Sequence, residues 1–296
     1  MIGVDAGGSR TLALVADASG AELARGEAGP GAVRPGHADA SAAAIAAACR
    51  TAMQRSRLNP PADVLVAGAS GAGREAERLA LEQSIEAEGL ARHVRVTTDA
   101  EIALEAAFGP AGAGVVLIAG TGSVAWARLP VGATARAGGF GPAVGDWGSA
   151  HEIATQALRA VRTALNGGEP KELLNRLAAH VGVPAGDLPR WALGASVPEI
   201  ASLAPAVLEA SRDGLSAARQ IVDAEARNLA QMTAPLLERF GEGTAISLAW
   251  GGGLLRDAPD YRRLVIGAIR ERWPEVEARG EPVDAVRGAV AIALRL

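Results

Sequence analysis

One acidic residue, Asp5, stands beside a cluster of glycine and hydroxyl residues near the start of the chain. The segment reads GVDAGGSRTLALVADASG from Gly3. Glycine inside an element costs roughly 0.5–1 kcal/mol relative to alanine, so such a cluster indicates a tight turn or a ligand close to the backbone. Backbone N–H groups and hydroxyls of a turn can hold phosphate oxygens, and a nearby carboxylate can hold a cation. The segment therefore predicts a phosphate site.

The elements around Asp5 are predicted to be strands. Strands are expected from Ile2 to Asp5, from Thr11 to Asp17 and near Glu22 to Ala28, with turns between them. Because no helix follows the glycines, the segment does not have the context of a P-loop or of a Rossmann fingerprint. The predicted structure is a hairpin with the glycines at its tip.

Four later stretches also combine glycines, hydroxyls or isolated acids. They are TTDAE (97–101), AGTGS (119–123), GGFGPAVGDWGSAHEIATQAL (138–158) and AWGGG (249–253). Asp99 and Asp146 each precede a predicted helix, so helix N-capping is the structural alternative for both. AGTGS could be a plain exit from a strand into a loop, and AWGGG could reflect close packing of strands. The order of the stretches along the chain favours a common functional role.

The pattern of predicted elements occurs twice. Three strands are followed by alternating helix and strand in the first 110 residues, and the order restarts at residue 115. This repetition predicts an α/β fold with two similar domains, residues 1–112 and 113–296, and a ligand cleft where the glycine-rich strand ends converge. The second domain carries a helical insertion, and its last helix is a candidate to pack back on the first domain.

Composition excludes several classes of function. The 296 residues have a net charge of −4, which argues against nucleic acid as the main partner. The apolar runs are shorter than the ~18 residues of a membrane span, so we expect a cytoplasmic protein. Cys49 is the single cysteine, which excludes an internal disulfide and an iron–sulfur cluster held by one chain.

Together the stretches resemble the N-acetylglucosamine kinase and BadF-type (BadF/BadG/BcrA/BcrD) ATPase family, within the sugar kinase/actin/Hsp70 ATPase superfamily. The resemblance covers nearly the whole chain and is closest at GVDAGGSRT, TTDA, LIAGTGS and GGFGPAVGDWGSA. It implies a duplicated ribonuclease-H-like fold with a central nucleotide cleft. It also implies ATP and Mg²⁺ as cofactors, a small-molecule sugar as substrate, and favours a homodimer.

The resemblance assigns roles to individual residues. Asp99 falls on the catalytic aspartate, which would accept a proton from the attacking hydroxyl, and Asp5 would hold Mg²⁺ through water. ATP and its phosphates would contact Gly7, Gly8, Ser9, Arg10, Thr11, Gly120, Thr121, Gly122, Gly251, Gly252 and Gly253. The sugar would contact Asp99, Ser123, Gly139, Phe140 and Asp146.

The expected acceptor pocket departs from the family pattern. Ala32 stands where an asparagine is usual, Val124 where some members carry an amide, and Phe140 where tryptophan is common. Trp147 replaces the usual acid of the GDEGS motif. The acceptor therefore stays open between N-acetylglucosamine, glucosamine and another sugar hydroxyl. A nucleotide-binding regulator without catalysis, or a BadF-type ATPase without an iron–sulfur cluster, is the alternative function.

Overall fold

The computed structural model describes residues 1–241 and 243–296, and their contacts divide the chain into two compact units. The first unit comprises Met1–Gly112 and Val283–Leu296, and the second comprises Ala113–Pro282. No helix in these described ranges is long and apolar enough to cross a membrane.

The first unit contains a five-stranded sheet and four helices. Its strands are β1 (Ile2–Ala6), β2 (Thr11–Ala16), β3 (Glu22–Ala28), β4 (Ala62–Ala69) and β5 (Ala91–Thr98). Its helices are α1 (Ala38–Ser56), α2 (Glu75–Ala87), α3 (Asp99–Phe108) and α13 (Ala285–Ala293). The first three strands form the predicted antiparallel meander, and β4 and β5 continue the sheet in parallel, in the order β3-β2-β1-β4-β5.

Side-chain alternation along β1 assigns different neighbours to the two faces of this sheet. Ile2 and Val4 are fully buried in the cluster that also contains residues of α1 and α2. Gly3 lies on the opposite face, where a Cβ atom would come within 2.5 Å of the Val286 carbonyl oxygen of α13. Since side chains alternate along a strand, Asp5 shares the face of Gly3. Asp5 therefore lies on the side of the sheet covered by α13.

The second unit contains a second five-stranded sheet and nine helices among its described residues. Its strands are β6 (Gly114–Ala119), β7 (Ser123–Arg128), β8 (Thr134–Gly138), β9 (Ile246–Gly251) and β10 (Val276–Ala278). Its helices are α4 (Ala150–Ala160), α5 (Arg162–Leu165), α6 (Lys171–His180), α7 (Leu188–Gly194), α8 (Val197–Ala201), α9 (Ala204–Arg212), α10 (Ser216–Leu237), α11 (Gly253–Asp257) and α12 (Pro259–Arg272).

The second sheet repeats the arrangement of the first. Its order is β10-β9-β6-β7-β8, with β6, β7 and β8 antiparallel and β9 and β10 parallel to β6. The predicted duplication of an α/β unit is confirmed by this shared order. The sequence interpretation missed β10 and α12. β10 has only three residues, and α12 begins at Pro259 after Ala258, which has no side chain that could cap the helix.

Candidate active site

The glycine-rich turn between β1 and β2 is hydrogen-bonded at its base, and its tip is exposed. The Gly7 amide donates to the Arg10 carbonyl at 2.9 Å. The Gly7 carbonyl accepts the amides of Gly31 and Ala32 at 3.0 and 3.1 Å. These bonds fix the base of the turn, while residues 8–10 are exposed to solvent. The exposed tip offers its backbone to an anion, as a phosphate-binding turn requires.

Thr11 differs from the expectation for a phosphate ligand. Its side chain is fully buried, and its hydroxyl donates to the Gly29 carbonyl at 2.8 Å. A Cβ atom at Gly31 would approach this hydroxyl to 2.3 Å, so the loop after β3 packs directly against it. In the structure Thr11 therefore shapes the hairpin through the loop rather than presenting its hydroxyl at the tip.

Asp5 lies near the end of β1 and is half-buried. Burial and the negative charge of Asp99 raise its pKa from 3.8 to about 6, and Asp284 adds to the rise. Arg10 acts in the opposite direction and lowers it. The structure thus brings Asp5 and Asp99, from distant parts of the sequence, into one electrostatic environment. Their negative charges exceed the local positive charge, and a cation would relieve this imbalance.

Asp99 is the first residue of α3, but it is not the cap of this helix. The N-cap is Thr98, whose hydroxyl accepts the Glu101 amide at 3.1 Å. Asp99 accepts the amide of Ala100 at 2.9 Å through Oδ1. The capping interpretation of Asp99 is therefore wrong. The helix has its cap one residue earlier.

Glu101 stabilises the turn that carries Asp99, a role that the sequence interpretation missed. Its carboxylate accepts Arg95 Nη2 at 3.0 Å and the hydroxyl of Thr97. Its amide bonds to Thr98, so both ends of the residue fasten the junction between β5 and α3. The spacing Thr98-x-x-Glu101 is that of a capping box, which could have signalled part of this arrangement.

The turn of residues 120–123 joins β6 to β7 and rests on the start of α4. The first two amides of α4, those of Ala150 and His151, donate to the carbonyls of Gly120 and Thr121 at 2.9 and 3.2 Å. The Gly120 amide donates to the Gly122 carbonyl at 2.9 Å. These bonds fix the second predicted phosphate turn to the helix that follows Asp146.

Asp146 is 5% exposed and packs against the second phosphate turn. Its carboxylate accepts the backbone amides of Gly141 and Ser123, and a Cβ atom at Gly122 would lie 2.8 Å from its Oδ2. Burial raises the pKa of Asp146, while the two amide bonds and the nearby His151 oppose the rise. The helix cap is Ser149, whose hydroxyl accepts the Glu152 amide, so the capping interpretation of Asp146 is also wrong.

Ser123 supports the Asp146 loop from its side chain as well as its backbone. It is 4% exposed, and its hydroxyl donates to the Trp147 carbonyl at 2.7 Å. The sequence interpretation placed Ser123 in the second phosphate motif and among the sugar contacts. In the structure it is engaged within the loop and holds the residue after Asp146.

A buried polar cluster, which no sequence motif predicted, holds Gly148 at the end of the loop that carries Asp146. Gly148 donates its amide to Glu225 at 2.8 Å, and its carbonyl accepts the Tyr261 hydroxyl at 2.8 Å. Asn228 donates to the second Glu225 oxygen at 3.0 Å. Burial raises the pKa of Glu225 and that of Tyr261. Gly148 has φ +68 and contacts Leu229 closely, so only glycine fits this position.

The glycines that end β9 lie next to the second phosphate turn. Ile118 of β6 is in register with Gly251, and a Cβ atom at Gly252 would come within 2.3 Å of the Ala119 carbonyl. The Gly253 amide is 3.5 Å from the Cβ position of Gly120. The two motifs thus share the carboxyl ends of neighbouring parallel strands, where ligands of α/β sheets bind.

Four further residues complete the description of the predicted sites. Gly139 has φ +70, and the neighbouring Phe140 is 66% exposed. His151 is half-buried, and its Nδ1 is buried without a hydrogen-bond partner among the residues described. Cys49 lies fully buried in α1, where burial raises the pKa of its thiol to about 12. Such a thiol is unreactive.

The profile of the BadF/BadG/BcrA/BcrD ATPase family matches residues 2–293. The chain belongs to this family. Its ribonuclease-H-like duplication and the resemblance seen in the sequence are thereby confirmed, and ATP use follows from the family.

Two curated relatives of this chain are kinases. The chain is 26% identical over 309 residues to an N-acetyl-D-glucosamine kinase of Dictyostelium discoideum, covering 99% of this chain and 97% of the relative. It is 28% identical over 240 residues to an N-acetylmuramic acid/N-acetylglucosamine kinase of Clostridium acetobutylicum, covering 76% and 75%.

Solved structures share the fold. A Chromobacterium violaceum protein provisionally named N-acetylglucosamine kinase superposes with a TM-score of 0.79 and 25% identity, covering 99% of this chain and 98% of its own. A Streptomyces griseus glucokinase of the ROK family, solved with glucose and AMPPNP, gives 0.65 and 22%, covering 100% and 99%. At this identity the second comparison supports the fold alone.

Proposed function

We propose that this family member is a kinase that transfers the γ-phosphoryl group of ATP to a hydroxyl of an amino sugar, N-acetylglucosamine or a close relative. In this proposal Asp99 is the general base. The named activities of the two curated relatives support the substrate class. The predicted cytoplasmic location agrees with a substrate, ATP, that is held inside cells.

The observation that carries the proposal is the position of Asp99. The cap of α3 is Thr98, and the turn is fastened by Glu101, so Asp99 is not needed as the cap of this helix. Yet its charge raises the pKa of Asp5, which costs stability in the absence of a compensating cation. Residues retained against such a cost are typical of functional sites.

The chemistry asked of Asp99 is a single proton transfer. Its carboxylate accepts the proton of the attacking hydroxyl as the oxygen forms a bond to the γ-phosphorus. The bond between that phosphorus and the β–γ bridging oxygen breaks, and ADP leaves with the electron pair. General-base assistance of this kind contributes roughly 10²–10⁴-fold. The remaining acceleration comes from positioning and charge stabilisation.

Backbone groups are suited to hold the phosphates. Residues 8–10 expose the tip of the first hairpin, and residues 120–122 form the second turn. We assign the phosphate oxygens to these two turns. The glycines 251–253 are assigned to the adenosine, because their lack of side chains lets a flat ligand lie against the backbone.

Mg²⁺ fits the carboxylates of the first unit. Among the described residues no three histidine, cysteine or acidic side chains cluster as a metal cage. Mg²⁺ does not need one, since it keeps several waters and uses one or two carboxylates with substrate phosphates. Asp5 would hold it through water, and the negative charge of Asp99, which adds to the effect of burial on the pKa of Asp5, would favour a cation there. The bound ion would neutralise charge on the β- and γ-phosphate oxygens.

Asp146 is assigned to the acceptor. Its carboxylate is almost fully buried, and burial raises its pKa, whereas the two backbone amides favour the ionised form. An ionised carboxylate accepts hydrogen bonds only, so it would orient sugar hydroxyls that donate to it. A site built on such bonds rejects analogues that lack the hydroxyl.

The decisive experiment is the turnover of Asp99→Asn with N-acetylglucosamine and glucosamine, with Asp63→Asn as the control. Asp63 is a carboxylate of the same unit whose side chain is 70% exposed. The amide oxygen of the introduced asparagine can still accept the Ala100 amide, so we expect normal folding and ATP binding with about 10²–10⁴-fold lower kcat. The control should keep wild-type turnover.

Two outcomes would count against the proposal. Near wild-type turnover by folded Asp99→Asn would remove Asp99 from the base role. ATP binding by the wild type without phosphorylation of any amino sugar would instead favour the nucleotide-binding regulator or the simple ATPase.

A further inference from the structure

Arg136, on the edge strand β8, carries an exposed positive charge close to the loop of Asp146. Its side chain is exposed, and no carboxylate pairs with it among the residues that the structure describes. Arg136 differs in this respect from Arg176, Arg256 and Arg272 of the same unit, each of which has a carboxylate within 4.0 Å.

The guanidinium group is nevertheless held in one orientation. Its Nε donates to the Gly138 carbonyl at 2.9 Å, and its Nη2 donates to the Gly139 carbonyl. Its Cζ lies 5.5 Å from the ring centroid of Trp126 and 5.4 Å from that of Phe140. Contacts of this kind between a cation and a ring face are attractive. They use Nε, Nη2 and the faces of the group, and they leave Nη1 without an acceptor in the described structure.

The segment that anchors Arg136 also supports Asp146. Gly138 and Gly139 have φ of +69 and +70, a conformation that glycine adopts readily. Two residues further on, the amide of Gly141 donates to the Asp146 carboxylate. Residues 138–141 therefore contact Arg136 at one end and Asp146, the residue predicted to bind the sugar, at the other. The exposed Phe140 lies between these two contacts in the segment.

We propose that Arg136 binds an anionic substituent of the acceptor, so that the kinase prefers an amino sugar bearing a carboxylate over its neutral parent. This inference rests on the proposed function. A carboxylate carries one negative charge and matches the single oriented guanidinium, which donates to such a group with fixed geometry. The apolar ring of Phe140 would contact the carbon chain that links the carboxylate to the sugar.

The test compares N-acetylmuramic acid, which is N-acetylglucosamine with a lactate ether, with N-acetylglucosamine itself. The quantity measured is the ratio of kcat/KM for the acidic sugar to that for the neutral sugar. Arg136→Gln removes the charge but keeps an amide that can donate to the glycine carbonyls. We expect it to lower the ratio about 10-fold, the effect of losing one charge-assisted hydrogen bond. Arg136→Lys should retain part of the preference, since lysine keeps the charge without the fork.

Arg190→Gln is the matched control, because it makes the same charge change at an exposed arginine of α7. It should leave the ratio at the wild-type value. Salt gives a second readout, since exposed charge pairs weaken as ionic strength rises. The ratio should fall with added NaCl in the wild type and change little in Arg136→Gln.

The outcomes separate this inference from the proposed function. If Arg136→Gln lowers both kcat/KM values equally, or raises the KM for ATP with either sugar, Arg136 acts on the loop or on ATP and the inference is wrong. Calorimetric binding of both sugars with a non-hydrolysable ATP analogue gives a readout independent of turnover. Arg136-dependent binding of the acidic sugar without turnover would support the inference and contradict the kinase function. Equal affinity of wild type and Arg136→Gln for the acidic sugar would overturn the inference.

Discussion

Replacing Asp5 with asparagine is expected to stabilise the metal-free protein near neutral pH while it removes the residue assigned to Mg²⁺. Burial, and then the charge of Asp99, raises the pKa of Asp5 in the folded protein from 3.8 to about 6. The folded state therefore holds this proton more tightly than the unfolded chain. The contribution of Asp5 to stability is fully present below about pH 3.8 and is lost as the pH rises through 6.

The size of the effect follows from the difference between the two pKa values. A rise from 3.8 to about 6 corresponds to about 3 kcal/mol, at 1.36 kcal/mol per pH unit. This is an upper value, because Asp5 is only half-buried and solvent screens part of the interaction. Asparagine has a similar shape and no charge, so Asp5→Asn should gain about 1–3 kcal/mol at pH 8 and about nothing at pH 4.

The assay is urea unfolding of wild type and Asp5→Asn at pH 4, 6 and 8 with EDTA, with Asp63→Asn as the control for losing an exposed charge. The gain should appear between pH 4 and pH 8 and should be absent from the control. Added Mg²⁺ should stabilise the wild type at pH 8 more than Asp5→Asn, because a ligand stabilises the state that binds it. Equal stability of the two proteins at pH 8, or a difference that does not vary with pH, would refute the reasoning.

Three further substitutions test separate contacts of the site. Thr98→Ala removes the cap of α3 and should lower the free energy of unfolding by about 1 kcal/mol in urea titrations, against Thr98→Ser as the conservative control. Glu225→Ala leaves the amide of Gly148 without its acceptor; steady-state kinetics should show the KM for the sugar rising more than that for ATP, and Glu225→Gln should restore it. Equal effects on both KM values would contradict this assignment. Gly122→Ala places a Cβ 2.8 Å from Asp146 Oδ2 and should raise the KM for the sugar about 10-fold in steady-state kinetics. An unchanged KM for the sugar would contradict the assignment of Asp146 to the sugar.

Local sequence signals were enough to predict the duplicated fold and the two glycine-rich turns that we assign to phosphate. Glycine clusters at the ends of apolar runs mark strand ends, and the same order of elements appears twice in the sequence and twice in the sheets. These features depend on neighbours in the chain. For the same reason the three-residue strand β10, which is defined only by its pairing with β9, was missed.

The contacts that position the acids could not be predicted in the same way. Gly148 is clamped by Glu225 and Tyr261, which lie 77 and 113 residues further along the chain. The sequence contains both as ordinary helix residues, and no spacing links them to the GDWGS motif. The bonds that the Thr11 and Ser123 hydroxyls donate to the carbonyls of Gly29 and Trp147 were not predictable for a related reason. A hydroxyl in a glycine-rich turn looks the same in the sequence whether it faces a ligand or a carbonyl of another loop.

The helix caps seen in the structure support functional roles for Asp99 and Asp146. Each lies just before or at the start of a helix, and from the sequence alone capping explained both equally well. The structure gives the cap of α3 to Thr98 and that of α4 to Ser149. Asp146 is instead buried against the second phosphate turn, and Asp99 raises the pKa of another acid. A regulator that only bound nucleotide would have no need of a proton acceptor at residue 99, whereas a kinase needs an ionised base there. Of the two proposed functions, the kinase therefore accounts for Asp99 better than the nucleotide-binding regulator does.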